Sequence, residues 1–127
     1  MNNGLSAATA RSEQRFIGCL LNDDARALDS GLKAADFTDD FCRRVFSAAL
    51  MLEERGQTCD LVTLTDTAPD IDASAAVDLT TQAVGCGALA GQYVLTIKTA
   101  AQRRAVAAEC LNLARDAQDA DKPLSEL

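Results

Sequence analysis

From Ala88 to about Asp119 the chain runs for 32 residues with no proline and a single glycine, Gly91. An unbroken helix of that length, at ~1.5 Å per residue, is a rod of roughly 45 to 50 Å, longer than a small globular domain needs. Leu89, Tyr93, Ile97, Ala101, Ala108 and Leu111 recur along it as a thin apolar seam, with Arg104 inside the line. A seam on a helix that projects past its own domain usually seeks another helix. Tyr93, Ile97, Arg103, Arg104 and Leu111 are therefore the expected interface residues. Ile97→Asp is expected to weaken self-association while leaving helix content intact.

The remainder reads as short helices. Residues 1–11 form a loose tail of Asn, Gly, Ser and Ala, after which Ser12 is placed to cap a first helix over residues 13–22. Asp23 or Asp24 is placed to cap a second, with Ala25, Leu28 and Leu32 on one face. Thr38 or Asp39 caps the next, which carries Phe41, Val45, Phe46, Ala49, Leu50 and Leu52 at helical spacing as far as about Arg55. Gly56 then suits a left-handed helix terminus. The following "DLVTL" is ambiguous between strand and helix, but Asp60 before it and Pro69 after it favour a short helix. Asp72 or Ser74 caps a helix over Ala76, Val77, Leu79 and Val84, and "GCG" at 85–87 ends it. The expected core of this head is Phe16, Phe37, Phe46, Leu50, Leu61 and Leu64.

Composition narrows the function. Twelve Lys and Arg against 19 acids give a net charge of −7, so little direct nucleic-acid binding is expected and a protein partner is the better default. The absence of His removes the usual general base, the usual zinc ligand and any Ser-His or Cys-His pair. Five cysteines at gaps matching no zinc pattern read as free thiols in a reducing cytoplasm. The acid pairs Asp23-Asp24 and Asp39-Asp40 fall at helix starts and read as caps. Arg43-Arg44 and Arg103-Arg104 read as solvated helix faces. No catalytic, cofactor-binding or metal-binding residue is assigned. No run approaches the ~20 apolar residues of a membrane span, and a soluble, cytoplasmic chain is expected.

Three stretches, read together, resemble the N-terminal domain of DnaB-type replicative DNA helicases. They are "SEQRFIGCLLND", then "DFTDDFCRRVFSAALMLEERGQTCDLVTL", and more weakly "GQYVLTIKTAAQRRAVAAECLNLARDA". The elements "VFSAALML", "ERG" and "DLVTL" carry most of the weight, through their order and spacing. The sequence departs from the family pattern at Cys42, where a His is frequent, and at Asp40, near a frequent Pro. It departs again in a shortened 69–90 stretch without the family's Gly-Gly-Tyr-Leu.

The resemblance implies an all-α fold: a head of five or six helices over residues 12–87, then residues 88–127 as the first arm of a helical hairpin and the start of a truncated second arm. It implies a collar and assembly domain that forms rings with itself, binds primase and adjoins a helicase motor domain. ATP and Mg would be bound only by that motor, since no GxxxxGK[ST] occurs here. The alternative on the same fold is a free-standing phage or plasmid regulator that binds a helicase or primase.

Overall fold

Six α-helices and two short 3-10 turns make up the computed structural model, which describes residues 3–119 with Asp121, Pro123 and Ser125; among these there is no strand. The first helix, α1 (Asn3–Leu21), starts well before Ser12, so residues 3–11, expected as a loose tail, are its first half. Ala7, Ala8 and Ala10 favour the helical state, and Thr9 is buried. Ser12 therefore lies inside a helix and caps nothing at its start.

Asp23 does not begin a helix; it ends one. It adopts φ +62°, while its amide and that of Asp24 donate to the Leu20 and Cys19 carbonyls at 3.1 and 2.8 Å. This is a Schellman terminus with Asp in the position that glycine usually fills. The second helix, α2 (Ala27–Ser30), has no cap from its own neighbourhood. Glu53 supplies one from a distant turn: its two carboxylate oxygens accept from the Ala27 and Leu28 amides at 2.8 and 2.9 Å. Leu32 is buried but lies beyond this helix, and Leu28 is exposed, so they do not share the expected face.

The third helix, α3 (Asp40–Glu54), begins on Asp39, whose carboxylate accepts from the Cys42 amide at 2.9 Å. It ends where Gly56, at φ +77°, lets the Gly56 and Gln57 amides reach the Glu53 and Leu52 carbonyls. "DLVTL" is helical in α4 (Leu61–Thr67), opened by a reciprocal box between Asp60 and Thr63. Asp72 caps α5 (Ala73–Gln82) through the Ser74 and Ala75 amides. That helix buries Ala76, Leu79 and Thr80, with Ala83 just after it. Val77 and Val84, expected on its inner face, point to solvent.

Phe16, Phe37 and Phe46 meet at the centre, with ring centroids 4.8 to 6.4 Å apart. Each is fully buried, worth ~1.5–3 kcal/mol of transfer free energy apiece. Leu64 is buried beside them, while Leu50 and Leu61 are half-buried against the same cluster. Gly18 lets α1 and α5 cross closely: a Cβ there would stand 2.3 Å from the Leu79 carbonyl oxygen and 2.5 Å from Ala83 Cβ.

The last helix, α6 (Ala90–Gln118), packs chiefly on α1. Ile97 is its final buried residue, and every position from Gln102 to Arg115 is exposed. Gln102, Arg104 and Ala105 still lie beside the Ala34–Asp36 turn, so the helix projects from about Val106, and residues 106–118 run about 20 Å.

Candidate functional site

Most carboxylates that a catalytic reading would recruit are engaged in holding backbone. Glu13 is fully buried, and it accepts from the Thr38 amide at 2.9 and 3.0 Å, the Thr38 hydroxyl at 2.7 Å and the Asp39 amide at 3.0 Å. It thus fastens the entry of α3 to the middle of α1. Asp39, Asp60 and Asp72 cap helices, and Asp40 pairs with Arg43 at 3.7 Å. No buried side-chain nitrogen or oxygen among the described residues lacks a partner. Hydrogen bonds to a charged group are worth ~1.5–3 kcal/mol, which makes Glu13 a structural centre that local sequence pattern did not announce.

The thiols divide by depth. Cys19, Cys42 and Cys59 are buried, and burial is the first cause that pushes each thiol up; Cys59 reaches about 12. For Cys42 the Asp39 carboxylate adds to the effect, and for Cys59 the Glu53 carboxylate does. Cys86 is half-buried with the Arg15 guanidinium 3.9 Å from its sulfur. Cys110 is exposed on α6. No group of three metal-ligating side chains occurs among the described residues, and no described helix is long and apolar enough to cross a membrane.

The expected interface residues do not form one surface. Ile97 is fully buried within the core of the head, so it is a core residue of its own chain and Ile97→Asp would bury a carboxylate there. Tyr93 is half-buried against the same core; burial and then the Cys86 thiol hold its hydroxyl above the usual phenol range. Arg104 is exposed but reaches back, donating from Nη2 to the Asp36 carbonyl at 2.8 Å. Arg103 lines a groove between α1 and α6 with Thr9, Leu95, Thr96, Thr99 and Ala100. Leu111 is 66% exposed on the projecting end. An i, i+4 seam looks the same whether it meets another copy or its own head, and here its first half meets the head.

What stands out instead is a line not anticipated from the sequence. Leu95, Val106 and Leu113 are each more than half exposed, and with Cys110 they fall within about 60° of one another around α6. Leu111 lies roughly 130° away, on the side that continues Tyr93 and Ile97. The arrangement is that of an all-α domain whose projecting helix carries bare apolar side chains. The sequence matches the DnaB-like helicase N-terminal domain over residues 7–99, and the chain belongs to that family. No curated protein matches it significantly. The family match ends two residues past Ile97, so the projecting end of α6 lies beyond it.

Proposed function

We propose that the chain serves as the collar and assembly domain of a replicative helicase, associating with itself through the projecting end of α6. The reading is carried by one observation: Val106, Leu111 and Leu113 are 51 to 66% exposed on the C-terminal part of α6, past the residues that pack on the head. Apolar side chains left exposed on one projecting helix favour an interface between helices. Primase docking and attachment to a motor domain are proposed from family membership, as is a cytoplasmic setting. The acidic balance of the chain favours protein partners over direct nucleic-acid contact.

Sedimentation equilibrium tests the assembly role. The chain is expected to show a concentration-dependent mass above its 13.4 kDa monomer. Leu111→Asp combined with Leu113→Asp is expected to return it to the monomer mass, with helix content preserved and stability within about 0.5 kcal/mol. A chain that stays monomeric at every concentration would overturn the proposal.

A further inference from the structure

We infer that the cleft between the 31–36 turn and α6 is a binding site for a compact phosphate group, of the diphosphate kind carried by small molecules. The site belongs to the head and does not depend on the assembly role proposed above.

The cleft has a volume of about 330 Å³. Gly31, Lys33 and Asp36 form one wall, and Lys98, Ala101 and Ala105 form the other. The α6 residues recur at three- and four-residue intervals, so they share one face of that helix. Alanine at 101 and 105 contributes only Cβ atoms, which leaves the floor low between the longer side chains. Gly31 holds φ +69°, and a Cβ there would come within 3.0 Å of Lys98 Nζ. The bare backbone of the turn is thus what makes room for the ammonium at the cleft. Gln102 adds a side-chain amide to the same wall.

Charge defines the ligand. In a chain of net charge −7, three of twelve bases meet here. Lys33 and Lys98 line the walls, and Arg104 stands at the rim, donating to the Asp36 carbonyl at 2.8 Å. Asp36 is the one carboxylate among the described lining residues, and its Oδ2 accepts from the Lys33 amide at 2.9 Å. The ion pairs among the described residues are Arg43–Asp40 and Arg44–Asp70, so neither ammonium is paired within them. Three cations against one carboxylate leave two positive charges unanswered at the cavity. Ammonium groups bind phosphate as point charges, and Arg104 retains donors beyond the one used on the turn.

Size and surroundings favour a compact ligand over a polymer. From Lys98 to Arg104 the basic stretch of α6 spans about 9 Å, the reach of one or two phosphates. Glu109 follows one turn past Ala105, and the chain as a whole is acidic, so a nucleic-acid backbone running on from the cleft meets repulsion. No aromatic ring lines the cleft to stack on a base, so recognition rests on the phosphates themselves.

Isothermal titration calorimetry with inorganic pyrophosphate, at about 50 mM salt, tests the site. One site per chain is expected, with a Kd of about 0.1–1 mM. Lys33→Gln and Lys98→Gln are each expected to weaken binding about tenfold. Ala101→Glu, which sets a carboxylate on the floor, is expected to abolish it. Gln and Glu are good helix formers, so circular dichroism should show the same helix content in the α6 variants. Arg115→Gln makes the same change of charge ten residues past the cleft and is expected to bind as the parent does. No heat up to about 10 mM pyrophosphate would overturn the inference. Equal affinity in Lys98→Gln and the parent would also overturn it, by placing the anion elsewhere. Tighter binding of oligothymidylate or hexaglutamate, compared at equal charge and lost in Lys98→Gln, would assign the cleft to a macromolecule and overturn the compact ligand.

Discussion

The head and the projecting end of α6 are built from the same residue types and treat them oppositely. In the head, three phenylalanines and most aliphatic side chains are buried, and distant carboxylates satisfy backbone amides. On the last turns of α6, Val106, Leu111 and Leu113 are as apolar as anything inside, yet each stays more than half exposed. The head buries a continuous core and satisfies its buried polar groups, with Val62, Val77 and Val84 left at its surface, whereas every position from Gln102 to Arg115 on α6 is exposed. A packed head beside a bare helix end would keep stability and the proposed association in separate places.

Substitutions should respect that separation. The largest effect is expected at Phe46, where Phe46→Ala removes the ring that stacks closest on Phe37 and should cost about 3–5 kcal/mol. An unchanged midpoint in a cooperative thermal melt would remove Phe46 from the core. Next comes Glu13→Ala, which strips the acceptor from two amides and a hydroxyl, for a loss of about 2–4 kcal/mol in urea titration. Stability equal to that of the parent would mean that water replaces the carboxylate without penalty.

Gly18→Ala pits two effects against each other. Alanine improves helix propensity by about 1 kcal/mol, but its Cβ meets a backbone carbonyl that cannot move without α5. Overpacking should win, with a net loss of about 1–2 kcal/mol; a stabilised variant would show that the α1–α5 crossing is looser than described. The smallest effect is expected to have the opposite sign. Asp23→Gly relieves a left-handed residue at the end of α1 and should raise stability by about 0.5–1 kcal/mol. A lowered midpoint would mean that the Asp23 side chain contributes more than its backbone strain costs.

Much of the head was legible because its signals are local. Asp60 before "LVTL", Gly56 after "LEER" and Asp72 before "ASAA" each act within a few residues of themselves, and each sits where the local pattern placed it. Glu13 and Glu53 were not legible as caps, because their partners lie about 25 residues along the chain and leave no periodic trace. The early start of α1 was missed because Asn, Gly and Ser outweighed three alanines in the reading. Ile97 was misplaced for a different reason: helical spacing reports which residues share a face, and only the tertiary fold decides what that face meets. The exposed line through Leu95 and Val106 went unread because eleven residues separate its first two members.

The bidentate grip of Glu53 on the Ala27 and Leu28 amides has a consequence for the order of events in folding. A four-residue helix has no stability of its own, so α2 can persist only after the last turn of α3 has formed and brought Glu53 to it. Its amide protons should then exchange with solvent through the same opening that releases the end of α3, rather than by fraying alone. The segment between α1 and α3 therefore carries no independent folding unit. It sets no earlier than the last turn of α3, onto a surface that this longer helix provides.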